Sequence, residues 1–154
     1  MPHPSLTTYL PPAWVSAPFS GPDEATIDWN IKRAEFIGRL ASLSGYAPIV
    51  VHSMIRGVFA SGPLDDDAAA RALGMRCDLS IVRLVGSHSG GAFFELLTDN
   101  EQRTSGMRQE WMEWRKCQCT DRHYSGTWAQ WEARARGCGL AAEWKALRHP
   151  PKAT

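Results

Sequence analysis

CDLSIVRLVG, residues 77–86, is the stretch on which the fold turns. Leu79, Ile81, Val82, Leu84 and Val85 make it nearly continuous in apolar side chains. A short run of this kind, rich in β-branched residues, suits a parallel strand covered on both faces. It is read as the third strand of a sheet, with Cys77 and Asp78 at its head. Upstream, AWVSAPFSG (13–21) is an apolar run closed by Pro-Phe-Ser-Gly. That is a buried strand feeding a tight turn. In PDEATIDWNIKRAEFIGRLASLSG (22–45), Ile27, Ile31, Ala34, Ile37, Leu40 and Ala41 recur at helical spacing. Acidic residues open that segment and Gly45 stands at the C-cap, so a helix is predicted. YAPIVVHS (46–53) reads as a second strand. MIRGVFASGPLDDD (54–67) is a connection, and DDDAAARALGMR (65–76) a helix capped by an aspartate.

Downstream, SHSGGAFFELLTDNEQR (87–103) carries mixed signals and is read as a long connection. TSGMRQEWMEW (104–114) is a capped helix. TWAQWEARARGCGLAAEWKALRH (127–149) is helical by composition, broken near Gly137 to Gly139. Alternating strands and helices predict an α/β protein with a short parallel sheet and a C-terminal helical extension. Residues 1–12 are expected to form a flexible arm, 13–149 one domain, and 150–154 a tail.

The chain has 154 residues, the size of one domain, with 44% hydrophobic and 21% charged residues. Its 17 basic and 16 acidic residues give no electrostatic reason for nucleic acid or membrane as partner. No apolar run reaches the roughly 20 residues of a membrane span, and MPHPSLTTYLPP lacks signal-peptide regions. The expected location is the cytoplasm. The four cysteines therefore suggest reduced thiols rather than a disulfide framework. Cys117, Cys119, His123 and Cys138 are soft donors, but their spacing is not that of a zinc site, and no metal or cofactor is expected. Of the seven tryptophans, Trp111 and Trp114 share a helix face, as do Trp128 and Trp131. Core anchors or an oligomer interface explain them most simply.

In an open parallel sheet, ligands bind beyond the carboxyl ends of the strands. Three stretches fall there: Ala17–Gly21, the segment around His52, and the start of the 104–114 helix. At that start, Thr104 or Ser105 can cap the helix, and Gly106 lets a ligand approach its free N–H groups. Those groups and the helix dipole favour an anion, most simply phosphate. Glu110 projects one turn further in. Each element also has a purely structural explanation: a plain turn, a strand-end histidine, a stabilised helix start.

Taken in order, these pieces resemble the nucleoside 2-deoxyribosyltransferase-like superfamily, closest to its small phage and bacterial members. The likeness lies in Ala17-Pro18-Phe19-Ser20-Gly21, then Asn30 and Ala34 on a helix. It continues through Gly45, Tyr46, Pro48, Ile49 and His52, then Cys77 and Asp78. It closes on Ser105, Gly106, Met107 and Glu110. The resemblance implies a flavodoxin-like or Rossmann-like sandwich with a nucleotide cleft. It implies Glu110 as the nucleophile on the sugar's anomeric carbon. Ser105, Gly106 and Met107 would hold the 5′ end, with Pro18, Phe19, Ser20, Gly21 and His52 beside the ligand. A second acid would protonate the leaving base, with Asp67 and Asp78 both candidates. The expected partners are a nucleotide or nucleoside and a second copy of the chain, as a homodimer. Three departures stand out. Ala17 replaces a usual glycine or serine. The 86–104 segment looks like an insertion, a lid or dimer element. RKCQCTDRHYSG (115–126) shows no strand where family members continue with one. Three functions follow as alternatives: N-glycosidic cleavage of a nucleoside or deoxynucleoside 5′-monophosphate, binding of a nucleotide signal without turnover, or a tryptophan-rich interaction module.

Overall fold

The computed structural model describes residues 9–52, 67–117 and 120–152, with 67–71 described by backbone alone. The first strand, β1 (Pro12–Ser16), leads into α1 (Glu24–Leu43) and the short β2 (Ala47–Ile49). Beyond residues 53–66, which are not described, α2 (Asp67–Ser87) is followed by β3 (Ala92–Leu96), α3 (Ser105–Arg115) and β4 (His123–Gly126). Two helices, α4 (Trp128–Gly137) and α5 (Ala141–Ala146), form the C-terminal extension. The strands join in the order β2-β1-β3-β4, every pairing parallel. That is the flavodoxin-like order, with four strands among the described residues.

Period-two alternation divides the core between the two faces. On β1, Ala13 and Val15 join Phe94 and Leu96 of β3 against Ile37 and Leu40 of α1 and the tryptophans of α4 and α5. On the opposite face, Trp14 and Phe93 pack with Val82 and Val85 of α2 and Trp114 of α3. Helices thus cover both faces, giving a three-layer sandwich. Asp23 caps α1, its carboxylate accepting from the Thr26 N–H at 2.7 Å. Gly45 follows the other end at φ 93°, a conformation that favours glycine. Among the described residues, no helix is long and apolar enough to cross a membrane.

Four expectations are corrected. The 77–86 stretch is not a strand; it continues the preceding helix, and together they make the 21 residues of α2. Read at helical spacing, Asp78, Val82 and Val85 are buried on one face, while Leu84 is 71% exposed. The Arg83 side chain is 72% exposed, an orientation that a strand buried on both faces would not allow. Burial of one stripe overrides the strand preference of Ile81, Val82 and Val85. The true third strand lies inside the supposed insertion, where all five residues of AFFEL are buried. No lid remains there: only residues 97–104 join β3 to α3. The segment after α3 does contain a strand, β4, which completes the sheet beside β3. The second strand is also shorter than expected; Val51 and His52 are already helical. The expected 54–67 connection and the aspartate cap at 65–67 lie outside the described residues, apart from the backbone of Asp67.

Candidate active site

Strand order reverses between β1 and β3, where helices leave the sheet on opposite faces. Such a switch point opens a crevice beyond the strand ends. Here it is a cavity of about 890 Å³. Ala17, Phe19 and Ser20 reach it from the turn after β1, and His52 from beyond β2. From α2 come Met75, Arg76, Asp78 and Leu79, and from the α3 start Thr104, Ser105, Gly106, Met107 and Glu110. Pro18 and Gly21 belong to the same turn without lining the cavity. The Asp67 side chain lies outside the described residues.

Asn30, buried on α1, holds the first turn. Its Nδ2 donates to the carbonyls of Phe19 at 3.2 Å and Ser20 at 3.1 Å. Gly21 is confined by α1: a Cβ there would lie 2.6 Å from Cγ2 of Thr26. At α3, the cap is Thr104 rather than Ser105, its hydroxyl accepting from the Met107 N–H at 3.4 Å. That leaves Ser105 and Gly106 on the cavity wall at the positive end of the helix dipole.

Glu110 is only 5% exposed. Its Oε2 accepts from Trp14 Nε1 at 3.2 Å and from the Ser16 hydroxyl. Both donors come from β1, where alternation puts them on the same face. Burial pushes the Glu110 carboxyl up to about 7; the Ser16 and Trp14 bonds oppose this, and the charges of Asp78 and Glu95 add to it. Asp78 is corrected in place. It does not head a strand at the wrong end of the sheet. It faces the cavity from α2, 5% exposed, with no partner on Oδ1 among the described residues. Burial alone raises its carboxyl to about 7. His52 packs its ring 5.4 Å from Phe19. Burial lowers it to about 4, against a hydrogen bond to the Ala17 backbone. It is therefore neutral at pH 7, and its buried Nδ1 has no partner among the described residues.

Sequence reasoning missed Trp14, Ser16 and Arg76. The first two were available from the alternation in PAWVS once Glu110 was suspected; Arg76 carries no local signal. Among the described residues no group of three or more metal donors gathers: His123 Nε2 lies 3.1 Å from Glu95 Oε1, Cys117 is half-buried at the end of α3 and Cys138 is exposed beyond α4, while Cys119 lies outside the described residues. A scan of protein-family models and searches of curated proteins and of solved structures return no match to this chain.

Proposed function

We propose that this protein cleaves the N-glycosidic bond of a nucleoside or deoxynucleoside 5′-monophosphate, by hydrolysis or base exchange. The observation that carries the reading is the unequal pair of buried carboxyls, Glu110 and Asp78, on one cavity wall. Glu110 has two hydrogen-bond donors on Oε2, which favour its ionised form. Asp78 has none on Oδ1, which favours its protonated form. Burial raises both carboxyls to about 7, so the pair titrates together, and the donors on Glu110 are what favour its ionised form with the proton on Asp78. Glu110 is then the nucleophile and Asp78 the acid.

The chemistry follows from that division. Glu110 Oε1, which accepts no hydrogen bond among the described residues, attacks the anomeric carbon through an oxocarbenium-like state. The C1′–N bond breaks, its electron pair leaves with the base, and Asp78 supplies the proton. Water or an acceptor base then attacks C1′, gives its proton to the Asp78 carboxylate and releases Glu110. Ser105, Gly106 and the α3 dipole bind the 5′-phosphate, with Arg76 as an added cation. Phe19 and His52 offer ring faces to the base. The likeness to the nucleoside 2-deoxyribosyltransferase-like superfamily supports this, because its motif residues Phe19, Ser20, His52, Ser105, Gly106 and Glu110 converge on one cavity, although Asp78 reaches it from a helix and not from the strand the likeness implies. A homodimer belongs to the same proposal.

Binding without turnover is the second reading. His52 Nδ1 and Asp78 Oδ1, which have no partner among the described residues, favour it, since both suit ligand hydrogen bonds with no chemistry. The interaction-module reading has less to stand on: Trp128 and Trp131 are 2% and 3% exposed, in the core. The deciding experiment exposes wild type and Glu110→Gln to a panel of nucleosides, nucleotides and nicotinamide dinucleotides, with and without acceptor base. Chromatography reads released or exchanged base. Release by wild type only is the expected result. Tight binding of one nucleotide by both proteins, without release, would replace catalysis with binding.

A further inference from the structure

Glu95 is a charged residue at the centre of the sheet with no part in the reaction above. It is 0% exposed. Arg103 grips it with two bonds, Nε to Oε2 at 2.5 Å and the terminal nitrogen to Oε1 at 2.9 Å. Ser125 donates to Oε1 at 2.9 Å, and His123 Nε2 lies 3.1 Å from the same oxygen. Trp111, the residue after Glu110, carries Arg103 over its ring at 4.5 Å and His123 against it at 4.2 Å. Strand register places this cluster beside the cavity. Ser16 pairs with Glu95, and Glu95 with Ser125, forming one polar row across β1, β3 and β4. Neighbouring strands are about 4.8 Å apart. The hydroxyl of Ser16, at one end of that row, is the one bonded to Glu110.

We propose that Glu95 is a positioning residue for Glu110: held by Arg103, His123 and Ser125, it sets the electrostatic field in which Glu110 works. A buried carboxylate with four hydrogen bonds stays ionised. Burial raises the Glu95 carboxyl, but the His123, Arg103 and Ser125 bonds outweigh it and hold it below its ordinary value. A fixed negative charge one strand from Ser16 makes Glu110 more basic. A more basic carboxylate is the stronger nucleophile, and the same charge favours a cationic sugar. Arg103 tempers the effect. The groups around Glu110 are then Asp78 from α2, Glu95 from β3 and the Ser16 and Trp14 donors from β1, with His52 across the cavity. Arg103 and His123 reach it through Glu95.

The inference rests on Glu110 being the reacting group, but its test needs no substrate. Carbon-13 NMR of labelled glutamate carboxyls would follow the titration of Glu110 in wild type, Glu95→Gln and Arg103→Met, with amide spectra to verify the fold. Glu95→Gln removes the like charge and lowers the Glu110 midpoint by about half a unit or more; Arg103→Met, read over the pH range in which the labelled Glu95 signal shows that it stays ionised, removes the tempering charge and raises it. Opposite shifts are not what general loosening of the structure produces. Arg103 is partly exposed, so its variant remains informative if Glu95→Gln does not fold. An unmoved midpoint in the folded variants, or shifts of one sign in both, overturns the proposal. A failed turnover screen with opposite shifts would reject the reaction and leave the coupling intact.

Discussion

Asp78 carries a buried carboxyl with no partner on one oxygen among the described residues, and that has a consequence for stability. Its proton affinity is raised in the folded chain, to about 7, above the ordinary value of 3.8. Between those values the folded state binds more protons than the unfolded one. Stability on this account is full below about pH 4 and falls as pH rises towards 7. Asp78→Asn is therefore expected to raise the melting temperature at pH 8 by a few degrees and to change it little at pH 4; thermal scans at the two pH values check this. His52 has the opposite sign. Its affinity drops from 6.5 to about 4, so its contribution is present above pH 6.5 and fades as pH falls through 4. A His52→Phe variant should resist acid better than wild type in the same scans. At Glu110, replacement by Gln is expected to reduce turnover by at least about a thousandfold; because burial raises this carboxyl to about 7 as well, the melting temperature should change little at pH 4 and rise at pH 8.

At the scale of single elements, the 77–86 stretch tests the register of α2. Leu84→Asp, on the exposed side, should cost less than about 0.5 kcal/mol. Val82→Asp, fully buried, should cost more than about 3 kcal/mol or prevent folding. Urea unfolding separates the two, and a strand would not give this contrast. Thr104→Ala should lower stability by about 1 kcal/mol through loss of the α3 cap. What the sequence made readable follows physical lines. The α1 helix has periodicity, a cap and Gly45, and β1 has an apolar run with a turn. The start of α3 has its cap and glycine. The third strand was hidden because Glu95 interrupts its apolar run, and only distant partners explain a buried charge there. The fourth strand has one large apolar side chain, Tyr124, and owes its place to pairing with β3. Asp78 was noticed but misplaced, because its surface was inferred from local β preference rather than from the spacing of Asp78, Val82 and Val85.

For the molecule as a whole, the sheet has its shortest strands at its margins: β2 has three residues and β4 has four. The five-residue β1 and β3 are enclosed between them. Exposed strand margins are templates for intermolecular pairing, and short ones recruit poorly. The apolar segment AFFEL, with its adjacent phenylalanines, is the part of the described chain best suited to cross-β stacking, and β4 stands between it and solvent. Fibril growth should therefore be governed by detachment of a four-residue strand. Arg122, which donates to the Ser89 carbonyl at 2.8 Å, and the Ser125–Glu95 bond help to hold that strand in place. The charge network that holds Glu95 would thereby also keep the apolar AFFEL segment out of reach of other copies of the chain.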